Sequence, residues 1–343
     1  MGFPVVQAAL SGYSDWAMRR IARALGASYT LCEVMLDEVL LRHGKRAKRR
    51  LLRVEDDDHP VGGQLMGSQP EGFGKAAGEL VAAGFDVIDI NFGCPVRKVL
   101  GRCRGGFLLG EVTTALEIVA RVREAVPPHI PVTVKMRRGL DDSPESREKF
   151  FQIFDGAFAR GVAAITVHGR TVQQRYDGPS KWDFLREVKQ HAGQRTVLGS
   201  GDLFSAAACW RMMRETGVDG VTVARGAIGN PWIFTQAQAL AAGKPLPAPP
   251  RLHEQRDVIA KHYQLAESLY GEEQCCRMMR KFGIKYSRLH PQADQVRSAF
   301  VAVKQRAEWQ AVLARYYRDD LPGCYPDEAA DECNLQSCGA PST

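Results

Sequence analysis

The sequence predicts a (β/α)8 TIM barrel followed by a small helical domain. Two observations lead there. Eight short β-rich runs recur along the first two-thirds of the 343 residues, with helically spaced segments between most of them. An Ala- and Pro-rich link, AAGKPLPAPPRLH at 241–253, then divides them from a stretch of helical composition.

In chain order the runs are VVQAAL (5–10), SYTLCEV (28–34), VGGQLM (61–66), DVIDIN (86–91), PVTVKM (131–136), AITVHG (164–169), RTVLGS (195–200) and GVTVAR (220–225). They are mostly apolar rather than alternating, as a parallel sheet covered by helices requires. Between them, EGFGKAAGELVAAGF places Phe73, Ala76, Ala77, Leu80, Val81 and Gly84 on one helical stripe, and Ala115, Ile118, Val119 and Val122 repeat the pattern. Gly84, Gly161 and Gly217 stand where such helices close. An open doubly wound sheet is the alternative, but no G-x-G-x-x-G follows the first run. The expected domains are a barrel over 1–242, a helical domain over 252–320 and a disordered tail over 321–343.

Composition is that of an ordinary folded protein, 45% hydrophobic and 25% charged, with a net charge of +7. That charge suits an anionic partner without proving one. The N-terminus has neither a charged n-region nor a long apolar core, and no segment reaches the ~20 apolar residues of a membrane span. The nine cysteines are scattered, and Cys324, Cys333 and Cys338 match no metal spacing. The expectation is a cytoplasmic protein with reduced thiols, no membrane segment and no metal.

Barrel active sites form at the C-terminal strand ends. There the chain places Gln64, Asn91 and Cys94, Lys135 and Arg137, His168 and Arg170. Taken singly, Lys135 reads equally well as a barrel-end ion pair, His168 as a hydrogen-bonded core histidine and Cys94 as a small buried hydrophobe. Their convergence on one rim is the argument for a site. The last two runs lead into Ser200-Gly201-Asp202 and Ala224-Arg225-Gly226. Glycine-bearing turns before a helix suit a phosphate, and Arg225 adds charge. The same glycines also serve tight turns that bind nothing.

These residues resemble the tRNA-dihydrouridine synthases, FMN-dependent enzymes that reduce uridine in tRNA. The likeness runs from about residue 5 to about residue 317. It is most specific in DVIDINFGCPVRKV (86–99), and continues in VKMRRG (134–139), HGRT (168–171), YDGPSKWD, SGDLF (200–204) and ARGAIGNPWIF (224–234). The resemblance implies FMN on the rim. Gln64, Lys135 and His168 would meet its ring, and Ser200, Gly201, Asp202, Ala224, Arg225 and Gly226 its phosphate. Asn91, Arg137 and Arg170 would hold the target base, Cys94 would give a proton, and NADPH would be the reductant. It also implies tRNA as partner, bound by a protein expected to be monomeric. The basic runs RMMRKFGIKYSR (277–288) and LRHGKRAKRRLLR (41–53) agree with that.

The chain departs from the family pattern in places. Ala9-Leu10 stands where the family has Pro-Met, Arg104 and Phe107 are larger than usual, Ser200 replaces a common Asn, and Cys103 adds a thiol within disulfide reach of Cys94 if the loop folds back. Other readings are a barrel flavoenzyme acting on a small molecule, a non-catalytic RNA-binding descendant, and an aldolase using Lys135, which would leave Cys94 without a role.

Overall fold

The computed structural model describes residues 4–42 and 50–326. The basic run 41–53 is therefore described only in part, and Cys333 and Cys338 lie outside the described residues. Among these residues the parallel strands are β1 (Val5–Gln7), β2 (Thr30–Leu31), β3 (Met35–Leu36), β4 (Val61–Met66), β5 (Val87–Phe92), β6 (Val132–Arg137), β7 (Ala164–His168), β8 (Thr196–Ser200) and β9 (Gly220–Val223). Each of β4 to β9 pairs with its neighbour in sequence. β9 pairs with β1, β1 with β2, and β2 with β4 through Thr30↔Val61 and Leu31↔Gly62, which closes an eight-strand barrel. The expected fold is therefore the fold found, with β3 as a two-residue addition along the end of β4.

The first two strands are shorter than the runs that predict them. β1 ends at Gln7 and β2 at Leu31. Beyond them, residues 8–14 and 32–34 leave the sheet, and Leu10, Tyr13 and Val34 turn to the barrel mouth.

Alternation along each strand sorts side chains to two faces. On β6, Val132, Val134 and Met136 are fully buried under the helices, while Thr133, Lys135 and Arg137 share the inner face. The register carries that inner face around the barrel: Gln64↔Asp89, Asp89↔Thr133, Asn91↔Lys135, Arg137↔His168 and His168↔Ser200. The upper half of this barrel interior is thus polar. The helix Pro70–Ala82 buries Phe73, Ala76, Ala77 and Leu80 on the sheet, and Val112–Ala125 buries Ala115, Ile118, Val119 and Val122. Gly217 closes the helix Ala206–Thr216 at φ +75°, a left-handed conformation that a side chain disfavours.

Helix Ile233–Ala241 is the last of the barrel, and no helix or strand is formed between it and Leu252. Helices Leu252–Tyr270, Glu272–Tyr286, Ala293–Ala302 and Arg306–Tyr316 follow. They bury Phe282, Tyr286, Phe300, Trp309 and Tyr317 among themselves. The group also rests on the barrel mouth. Tyr270 donates its hydroxyl to Asp15 at 2.7 Å, Lys281 donates to the Gly12 carbonyl, and Arg288 donates to the Ile228 carbonyl at 2.7 Å. The start of the expected disordered tail needs correction. The Leu321 carbonyl accepts from Leu252 N–H, Cys324 N–H donates to the Leu289 carbonyl, and the Tyr325 hydroxyl donates to Pro247. These bonds tie residues 321–325 to the helical group and to the link that precedes it; residues 327–343 lie outside the described residues. Among the described residues, no helix is long and apolar enough to cross a membrane.

Candidate active site

A cavity of about 330 Å³ opens at the C-terminal ends of the strands. Its size suits one small-molecule cofactor or substrate. Gln64, Asn91, Cys94, Lys135, Arg137, His168, Ser200, Gly201, Asp202, Ala224, Arg225 and Gly226 all line it. The strand-end rule therefore brought together residues from six different strands or the turns after them.

Cys94 sits two residues past β5, where the chain leaves the sheet. The turn is held by Asn91, whose Oδ1 accepts from Gly93 N–H at 2.9 Å and from Cys94 N–H at 3.1 Å. Arg137 clamps it from the next strand, donating Nε to the Gly93 carbonyl at 2.9 Å. Behind it, Gly106 N–H donates to the Cys94 carbonyl at 3.0 Å, and a Cβ on Gly105 would lie 2.8 Å from that of Cys94. Burial holds the Cys94 thiol above its ordinary pKa, against the lowering pull of the Val96 N–H and of Arg137. It is a protonated thiol at neutral pH. Cys94 and Cys103 are both free, so the conceivable disulfide between them is not formed.

Lys135 rises from the inner face of β6, with Nζ 3.5 Å from Ser200 Oγ. Burial, reinforced by the Arg137 charge, lowers its pKa to about 8. His168 is held well below its usual value by burial and by the cations Arg137, Lys135, Arg170 and Arg225. It is a neutral imidazole. Its Nε2 lies 3.4 Å from Arg170 Nη1, which can only donate, so Nδ1 carries the ring proton.

Two expected contacts sit differently from the sequence reading. Arg170 does not line the cavity. It is 3% exposed beneath the rim, donating Nε and Nη2 to the Gly178 carbonyl and Nη1 to Asp202 at 2.7 Å. Its place is below the site, since the chain has left β7 by Gly169 and the side chain folds under the following loop. The Asp202 carboxylate is likewise engaged, by Arg170 and by Ser180 N–H at 2.7 Å, so only its backbone is left to face an anion.

The sequence reading missed Tyr176, Phe204 and Thr222, which also line the cavity. Tyr176 is 43% exposed and packs against the guanidinium groups of Arg137 at 5.5 Å and Arg225 at 4.7 Å. Its motif, YDGPSKWD, was visible, but nothing in a loop's spacing says which side chain folds back over the mouth. Of the unusual residues, Leu10 and Ala9 do form part of the wall. Arg104 turns away from it and pairs with Glu38 at 2.8 Å, which explains how the larger side chain is accommodated.

These features fit a planar, phosphorylated cofactor. Gln64, Lys135 and the neutral His168 offer polar contacts along one wall. Gly201 and Gly226 let the turns after β8 and β9 pack closely at the cavity wall, where their backbone forms a cradle: a Cβ on Gly201 would come 2.7 Å from His168 Cδ2 and meet Ser180 Oγ, and one on Gly226 would strike the Leu203 carbonyl. Arg225 stands beside that cradle to balance an anion.

Comparison with known proteins bears on the same residues. The chain matches the family model described as Dihydrouridine synthase (Dus) over residues 6–319. It is 35% identical to a "Probable tRNA-dihydrouridine synthase" of Mycobacterium tuberculosis (strain CDC 1551 / Oshkosh), a match covering 95% of this chain and 84% of the relative. It is 33% identical to "tRNA-dihydrouridine synthase B" of Xanthomonas axonopodis pv. citri (strain 306), covering 95% of this chain and 96% of that one. Among solved structures it is similar to morphinone reductase, with a TM-score of 0.51 at 15% identity over 72% of this chain and 88% of that chain, a likeness of fold alone. With the family model spanning nearly the whole chain, the protein belongs to the dihydrouridine synthase family.

Proposed function

We propose that this protein reduces the C5–C6 double bond of a uridine in tRNA, with FMN in the cavity and NADPH as reductant, acting as a cytoplasmic monomer. The observation that carries the reading is the placement of a protonated, half-buried Cys94 thiol in the wall of the same cavity as Lys135, His168 and the glycine cradle. Reduced FMN supplies, when bound, the hydride for one carbon of the double bond. The other carbon needs a proton, and we assign its donation to Cys94 Sγ.

Gln64, Lys135 and His168 would hold the ring, and the backbone of Ser200 to Asp202 and Ala224 to Gly226 the phosphate, with Arg225 balancing its charge. Arg137 has two roles. It fixes the Cys94 turn through the Gly93 carbonyl and keeps positive charge beside an incoming nucleotide. Asn91 and Arg170 act through others, Asn91 on the turn and Arg170 on Asp202. The target base must leave the tRNA stack to reach Cys94, as chemistry on a paired or stacked base requires.

The test is a visible spectrum of the purified protein, then NADPH and unmodified tRNA added anaerobically. A flavin band that bleaches with NADPH and returns with tRNA is expected. In Cys94→Ala the band and its bleaching persist while reduction of tRNA falls by about 10²-fold or more. A flavin that bleaches yet ignores tRNA would instead point to a small-molecule substrate. No flavin even after added FMN would leave an RNA-binding protein.

A further inference from the structure

Beneath Cys94 the polar groups form a hydrogen-bond chain that has only one possible direction. Gly93 N–H and Cys94 N–H both donate to Asn91 Oδ1. Two donors on one oxygen fix that amide, so its Nδ2 points the other way, 2.7 Å from Gln64 Oε1. Gln64 is then fixed in turn, with Nε2 2.7 Å from Asp89 Oδ2. Each link hands a donor downward, and the chain must end on an acceptor. Asp89 ends it. Its other oxygen takes the Thr133 hydroxyl at 2.5 Å. Asp89 lies one layer below the strand ends, directly opposite Gln64 and Thr133 in the register, 2% exposed and absent from the cavity wall.

We propose that Asp89 is a positioning residue for Cys94, the terminal acceptor that locks Gln64, Asn91 and the turn they hold. Leucine at this position would leave Gln64 Nε2 buried with no acceptor. Gln64 Nε2 can regain an acceptor only by leaving its place, which withdraws Oε1 from Asn91 Nδ2. Asn91 can keep Gln64 or the turn, not both. Asparagine at this position keeps an oxygen toward Gln64 and points its NH2 at Thr133 Oγ, so the chain survives. Asparagine also keeps the shape of aspartate, so what separates the chain from a packing role is whether the effect of leucine passes through Asn91.

The inference rests on Cys94 being the reacting group, but its test does not use the reaction. The rate of Cys94 alkylation by iodoacetamide is measured in the purified full-length protein by mass spectrometry of its peptide, with exposed Cys103 as internal reference. In Asp89→Leu the relative rate rises about fivefold or more, and in Asp89→Asn it stays within about twofold. Asn91→Ala raises it similarly, and Asp89→Leu adds nothing in that background because the effect passes through Asn91. An unchanged rate in folded Asp89→Leu, or full additivity with Asn91→Ala, overturns the proposal. If Asp89→Leu does not fold, Gln64→Leu breaks the middle link and must raise the rate as Asn91→Ala does; no rise overturns it. A Cys94→Ala enzyme that still reduces tRNA would refute the proton-donor role, while the alkylation result would still judge the chain.

Discussion

Lys135 carries a cost that a bound anion or electron-rich ring would relieve. Its pKa of about 8 in the folded protein lies below the unperturbed 10.5, because burial disfavours the ammonium. Between those values the unfolded chain binds more protons, so this group's contribution to the stability of the cofactor-free protein rises with pH from about 8 upward. On the proposed reading, binding of an electron-rich ring or phosphate would need the charge and should weaken over the same range. The two trends oppose each other, and both should vanish in Lys135→Met. That variant should melt no lower than the native apoprotein at pH 7 and bind FMN about tenfold or more weakly, read by absorbance titration. Parallel pH trends for melting and FMN affinity would count against Lys135 as a cofactor contact. Lys135 was legible in the sequence because a lysine inside an apolar β run has to be satisfied somewhere, and the strand end is where that happens. Asp89 was not, since DVIDIN reads as a buried strand with a polar interruption, and only the register shows which neighbours satisfy it. Arg170 had the right spacing and the wrong depth.

At the scale of elements, strand positions were readable because short apolar runs and helix periodicity are local, while loops were not. The loop after Cys94 is the clearest case. Gly105 holds φ +59°, and its missing Cβ is what lets the loop press against Cys94. An alanine there meets both a left-handed backbone and the Cys94 Cβ, so Gly105→Ala should cost about 1–2 kcal/mol by chemical denaturation. It should also slow tRNA reduction several-fold while flavin content stays native, because the displaced element carries the thiol and not the cradle. A variant that lost flavin first would show that this loop supports the cofactor side. By contrast, Gly217→Ala, at another left-handed glycine but far from the mouth, should lose a similar stability of about 1 kcal/mol with native turnover.

Across the whole molecule, the helical group was legible as composition, but its effect on the site was not, since that effect comes from contacts more than 200 residues apart in sequence. Phe282 meets Tyr13 edge to face at 5.4 Å, and Tyr13 lines the cavity. Lys281 stands over the same tyrosine and holds the Gly12 carbonyl, while Tyr270 holds Asp15. The loop between β1 and its helix, where Ala9 and Leu10 replace the family's usual pair, is thus braced by the C-terminal helices and not by the sheet alone. Two truncations separate bracing from stability. Phe282→Ala and Phe300→Ala both empty fully buried sites in the helical core, and each should cost about 3–5 kcal/mol. Phe300 packs on Trp309 and touches no part of the mouth, so its loss should leave FMN affinity native under conditions where the protein stays folded. Phe282→Ala removes the partner of Tyr13 and should weaken FMN several-fold at matched stability, seen as faster cofactor loss on dilution. Equal FMN affinity in the two variants would mean that the helices dock on the barrel without shaping its mouth, and would leave tRNA contact as their remaining task.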